Sequence, residues 1–194
     1  MELSIAGNLY TISGAALTAH IINPAQPIPS VNGFLRSGLF WNIDVDVRDE
    51  WINFWSYGFQ FSNVQRWGDV VGQTISRSTP RNEITGEMDR GWYGGNLISG
   101  HLEILEAELR FTQREGCKLR LLWQGVCSAA PLECEPETDE RLPFSIDCWC
   151  VFEHLSCRER EHASRLLELE DFTEEVIDSR QNSSVKTFLF KPRC

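Results

Sequence analysis

No stretch of this chain runs to about 18 consecutive apolar residues, the length a helix needs to cross a bilayer, so no membrane-spanning helix is expected. Basic runs are also missing. The 18 Lys and Arg residues are scattered and outnumbered by 28 Asp and Glu, for a net charge of -10. Phosphate backbones and anionic lipid surfaces both demand a positive footprint. Nucleic acid and membrane are therefore not expected as partners, while a basic protein partner is allowed. The opening Met1-Glu2 has no positive n-region, so secretion is disfavoured and the cytoplasm is the expected setting. There is no Walker-type phosphate loop, dinucleotide-binding glycine motif, HExxH, GxSxG or EF-hand loop. The enzyme classes those motifs mark are disfavoured, and no cofactor is expected.

An even cysteine count is lacking too. The seven cysteines are Cys117, Cys127, Cys134, Cys148, Cys150, Cys157 and Cys194. An odd number in a chain of this size does not read as a secreted disulfide framework, so most thiols are expected to be free. Cys194, at a terminus, is the one expected to form an adventitious intermolecular disulfide. Cys148, Cys150, His154 and Cys157 have the donor types zinc takes. Their spacing, C-x-C-x3-H-x2-C, is not a common zinc pattern. On a strand, Cys148 and Cys150 lie about 6.5 Å apart, which is wide for two ligands of one ion. Packing as small buried hydrophobes is the favoured reading, and no metal is expected.

What the chain does have is aromatic bulk and period-two alternation. It carries eleven Phe and seven Trp in 194 residues. That length suits a single domain, 1–194. Gly7-Asn8-Leu9 before Ile12-Ser13-Gly14 recurs as Gly95-Asn96-Leu97 before Ile98-Ser99-Gly100, the first triplet 88 residues on and the second 86. The match raises two similar halves, about 1–94 and 95–194, although chance explains so short a match better. Leu39, Trp41, Ile43, Val45 and Val47 alternate with Phe40, Asn42, Asp44, Asp46 and Arg48, as a half-buried strand requires. Past Arg48-Asp49-Glu50, the residues Trp51, Asn53, Trp55, Tyr57, Phe59 and Phe61 share the next strand's apolar face, which predicts a β-hairpin. A short helix carrying Trp51, Phe54 and Trp55 is its rival.

Farther on, 102–109 offers both helical and alternating readings, and a hairpin turning at Arg114-Glu115-Gly116 accounts for both halves. Phe144, Ile146, Cys148, Cys150 and Phe152 mark another strand, apolar on both faces at its end and hence central. Ser156 with Glu159, and Asp171 with Glu174, read as helix caps, so one bent helix or two short ones are expected over 157–180. A closing strand follows over 185–190. The expected class is α+β, mostly antiparallel β: a hairpin-rich sheet in a sandwich or partly open barrel, with a C-terminal helical segment.

Two functions compete. A binding protein would use a surplus of rings, Trp51, Trp55, Tyr57 and Trp67, together with its acids against a protein partner. A small-ligand binder or hydrolase-like enzyme would use Asp44, Asp46, His101 and Glu103 as a carboxylate and imidazole pocket. The non-enzymatic reading is favoured, because the polar face of a half-exposed strand also accounts for the acids.

Overall fold

The computed structural model describes residues 1–23, 28–29, 35–48, 53–78, 93–97, 100–128, 141–178 and 186–194. Strands come early. β1 (Glu2–Ile5) turns into β2 (Asn8–Ile22) through Ala6 and Gly7. Both turn residues have positive φ, 49° and 84°, the backbone of a two-residue hairpin loop whose twist matches its strands. Next come the short pair β3 (Ile28–Pro29) and β4 (Leu35–Arg36), then β5 (Gly38–Val47), β6 (Asn53–Phe59), β7 (Thr74–Ser78) and β8 (Tyr93–Leu97). β9 (Gly100–Glu115) and β10 (Lys118–Ser128) form the expected hairpin, turning at Gly116 with φ 56°. β11 (Arg141–Cys157) leads to α1 (Arg160–Leu166), and β12 (Phe172–Asp178) and β13 (Lys186–Pro192) finish the chain.

The main sheet has eleven strands, and its ladders run β1-β2-β5-β6-β8-β9-β10-β11-β13-β12, with β7 on β9. β11 organises it. Antiparallel pairing joins β11 to β10 over 141–151, to β1 over 144–147 and to β13 over 155–157. Parallel pairing joins it to β2 over 151–156. Because β1 and β2 sit at one end of the strand order, these last ladders roll the sheet back onto itself. The roll stays open. β6 meets β8 through two register pairs, Asn53 with Asn96 and Phe54 with Gly95, and among the described residues no ladder joins β6 to β7.

The roll is filled with side chains. Trp41, Phe54, Phe59, Trp67, Phe111, Phe152 and Phe190 are fully buried with Leu3, Leu17, Ile43, Leu119 and Leu121. Phe152 is the hub, with ring centroids 5.1 Å from Trp67, 5.4 Å from Trp41 and 6.1 Å from Phe172. Rings at these separations in tilted or edge-to-face array add to plain burial. A 3-10 turn, Trp67–Val70, brings Trp67 into this core. The Asp69 carboxylate accepts from the backbone N–H groups of Gln65 and Arg66 at 3.0 and 2.7 Å, fixing where the turn starts.

Three sequence expectations need correction. The inward face of β6 is Phe54 and Ser56, not Asn53 and Trp55, because register with β5 sets Phe54 opposite Val45. Gly58, at φ 70°, then shifts the strand so that Phe59 turns in as well. Among the described residues of this span, α-helix occupies Arg160–Leu166 and a 3-10 turn Leu169–Asp171, and in place of the second expected helix runs strand β12, its β-branched Val176 and Ile177 meeting a ready ladder in β13. Ser156 caps nothing, since it lies in β11 opposite Leu189 and His20. The two Gly-Asn-Leu triplets also differ in place, one at the β1–β2 turn and one inside β8. Of a polar loop expected over 76–91 and an acidic one expected over 131–141, residues 76–78 belong instead to β7 and Arg141 to β11, and 79–91 and 131–140 lie outside the described residues. Among the described residues, no helix is long and apolar enough to cross a membrane.

Candidate functional site on the outer sheet face

The alternation that filled the roll leaves polar residues on its outside, and strand register gathers them. Ser4 of β1 pairs with Ser145 of β11, Ser145 with Gln124 of β10, Gln124 with Glu108 of β9, and Glu108 with Ser76 of β7. Directly opposed residues share a face, so this is one row of hydroxyl, hydroxyl, amide, carboxylate and hydroxyl. At about 4.8 Å per strand its four steps span about 19 Å. Ser4, Glu108, Gln124 and Ser145 line both of two adjoining hollows, of about 700 and 230 Å3. The floor of the larger hollow includes Gly7, Ala107 and Gly125. Gly125 is required there, because a Cβ would collide with the carbonyl oxygen of Glu106 on the neighbouring strand. The hollow thus exists where β9 and β10 pinch together.

Its flanks carry paired charge. Arg141 donates to Glu106 at 2.6 Å, and Arg120 donates to both oxygens of Asp147 at 3.0 and 2.8 Å. The hydrogen bond from Arg120 holds the Asp147 carboxyl below the usual carboxylate range. Within the row itself, Glu108 is the one charged side chain.

The residues singled out from sequence lie elsewhere. Trp67 is fully buried, with the Arg114 guanidinium 4.0 Å over its ring, so it offers no partner a surface. Trp55 is half-buried and sits opposite Asp44. Trp51 lies outside the described residues, and Tyr57 is placed only as part of β6. Asp44 is half-buried and Asp46 exposed, both on the outer face of β5 as expected. His101 and Glu103 belong to β9, where only their strand positions are described. Register runs from Asp46 to Asn53, Asn96 and then His101. Three strand spacings, about 14 Å, separate its ends, so the backbone does not bring these acids and His101 into hydrogen-bond reach.

The cysteines divide. Cys148 and Cys150 point inward, as their parity requires. A register shift between Phe152 and His154 moves the buried positions to Leu155 and Cys157, leaving His154 on the outer side. The three thiols and His154 therefore do not converge, and among the described residues no cluster of three potential ligands forms. Burial raises Cys127 and Cys157 to about 11 and Cys148 to about 12, and it raises Cys150 too. Cys127, Cys150 and Cys157 each direct the sulfur to a backbone carbonyl, of Leu142, Leu119 and Glu159 respectively. Cys194 departs from expectation by joining Cys117 in an intramolecular disulfide, with Cα atoms 5.0 Å apart. The last residue is thereby pinned beside the β9–β10 turn.

No family model, curated protein or solved structure matches the chain. The row was not legible from sequence, since each member is an ordinary polar residue on an alternating strand. Only pairing between strands as much as 141 residues apart, Ser4 with Ser145, puts them side by side.

Proposed function

We propose that this is a non-enzymatic binding protein that holds an extended segment of a basic protein partner along the row from Ser4 to Ser76. The observation that carries this reading is the row itself, five polar side chains across five strands, bordered by two hollows. An extended chain advances about 3.3 Å per residue, so about six residues match the length of the row. Hydroxyl and amide groups suit the backbone of such a segment, and Glu108 suits a cationic side chain. The interior is already filled by rings, which supports a contact surface on the outside over a ligand held within the roll. The aromatic half of the expected surface has little support, because Trp67 is core. The pocket reading based on Asp44, Asp46, His101 and Glu103 is not advanced, because about 14 Å of register separates Asp46 from His101.

Four cysteines kept as buried thiols suit a reducing cytoplasm. The Cys117–Cys194 bond is the feature that suits an oxidising setting instead.

The test is titration with a fluorescent hexapeptide alternating lysine and serine, and with its glutamate–serine counterpart. The lysine peptide is expected to bind about tenfold more tightly or better, and Glu108→Lys to erase that preference. Equal binding of both peptides, or a preference that survives Glu108→Lys, would overturn the reading.

A further inference from the structure

Among the described residues the sheet ends at β12, and the chemistry of that edge is set by which backbone groups β13 already uses. Arg193 donates its N–H to the Asp171 carbonyl at 2.7 Å, and this pair continues the β12–β13 register. In an antiparallel ladder, hydrogen-bonded pairs alternate with non-bonded ones. Thr173, Glu175 and Ile177 therefore aim their backbone groups at β13, while Phe172, Glu174, Val176 and Asp178 aim theirs away from it. Pro192, which has no N–H to give, sits opposite Phe172 in a non-bonded position and agrees with this phase. The Phe172 N–H is taken by the Leu169 carbonyl. Among the described residues no strand pairs with the outer side of β12. Glu174, Val176 and Asp178 thus present N–H and C=O groups at every second residue, the template an added strand reads.

Side chains at this edge select the occupant. Val176 and Ile177 are 49% and 43% exposed, side by side in sequence and hence on opposite faces. Residues 170–178 hold five acids, Glu170, Asp171, Glu174, Glu175 and Asp178, and no base. Arg160 and Lys191 pair with Glu174 and Glu175 at 2.9 and 2.6 Å, so the edge tolerates cations and already attracts them. A second copy fits poorly. With Val176 opposite itself, antiparallel pairing sets Glu174 against Asp178 at both ends, a like-charge juxtaposition that destabilises.

We propose that β12 is a strand-addition site for an extended segment of another protein in which cationic and apolar side chains alternate. This surface is separate from the outer row. β11 meets the row at Ser145 and meets β13 at Leu155, ten residues on, about 33 Å of extended strand.

The probe is a decapeptide alternating lysine and valine, with a version N-methylated at alternate residues so that one edge cannot donate. Wild-type protein is expected to bind the first peptide and to bind the methylated one about tenfold or more weakly. Val176→Pro deletes an outward N–H while sparing the ladder to β13, and should weaken binding by about tenfold with far-UV CD unchanged. Should the proline variant lose its fold, Val176→Lys keeps every backbone group and is expected to weaken binding similarly by charge. In a Glu108→Lys background, Val176→Pro and N-methylation should still weaken binding by about tenfold, which separates the edge from the outer row. Equal binding of the methylated peptide, or full binding by a folded Val176→Pro or Val176→Lys variant, would overturn the proposal. So would a dimer of the wild-type protein that Val176→Lys abolishes, because the occupant would then be a second copy.

Discussion

β11 and β12 belong to one sheet and differ in what lies along their edges. β11 has partners on both sides over most of its 17 residues, and its inward side chains are Phe144, Ile146, Cys148, Cys150, Phe152, Leu155 and Cys157. β12 has seven residues and, among the described residues, one partner strand, and five of its residues, Thr173 to Ile177, are exposed. A strand paired on both edges is locked into the core, and what it can still offer is its outer face. A strand paired on one edge keeps its backbone available. The two candidate surfaces follow from this difference: the row crosses the outer face of β11, and the strand-addition site is the free edge of β12.

The sharpest way to break the comparison is to truncate one apolar side chain in each strand. Phe152→Ala empties a site surrounded by Trp41, Trp67 and Phe172 and is expected to cost about 3–5 kcal/mol. Val176→Ala, at an exposed position, is expected to cost about 0.5 kcal/mol or less. Urea unfolding measures both, and equal losses would mean that the edge strand is held by the core no less than the central one.

The disulfide comes next. It joins residues 77 apart, and closing so long a loop restricts the unfolded chain by about 2–4 kcal/mol. Cys194→Ser is expected to lower the urea midpoint as much as reductant lowers it in the wild-type protein, and reductant should then have no further effect. The bond anchors the C-terminal end of β13, so hydrogen exchange in β12 and β13 is expected to speed up more than exchange in β11.

Thiol reactivity sharpens the contrast from inside β11. With Cys148 raised to about 12 and Cys157 to about 11, both are almost wholly protonated at pH 8. Alkylation in the folded protein is expected to be about a hundredfold slower than in urea. Equal rates would place these thiols on the surface.

The smallest effect concerns Asp147 on the outer face. Its carboxyl is held low by Arg120, so the pair stabilises the fold above the ordinary carboxylate pKa, and that contribution is lost as pH falls through the folded value. Asp147→Asn is expected to lower stability slightly at pH 7 and not at about pH 2, because an exposed pair is well screened. A larger loss at the acid end would reverse the assigned sign.

Much of this architecture was legible in sequence where alternation was strict. β5, the β9–β10 hairpin and the inward face of β11 follow from period two alone. Legibility failed where a local irregularity changed parity. Gly58 turns Phe59 inward, and the shift after Phe152 separates His154 from the cysteines. It failed again over 171–178, where acidic residues resembling a helix start lie instead along a sheet edge. Aromatic content pointed to binding, but Trp67 was needed to fill the roll. The candidate site was hidden because residue types identify a face, whereas register identifies neighbours. Nothing local to Ser4 announces Ser145.

The most direct measurement of the central claim, that partners meet the outer face of a filled roll, is NMR shift mapping of labelled protein with the lysine–serine hexapeptide. The expected result is joint movement of the Ser4, Ser76, Glu108, Gln124 and Ser145 amides, with the indole signals of buried Trp41 and Trp67 unmoved. Movement of those indoles while the row stays still would contradict it.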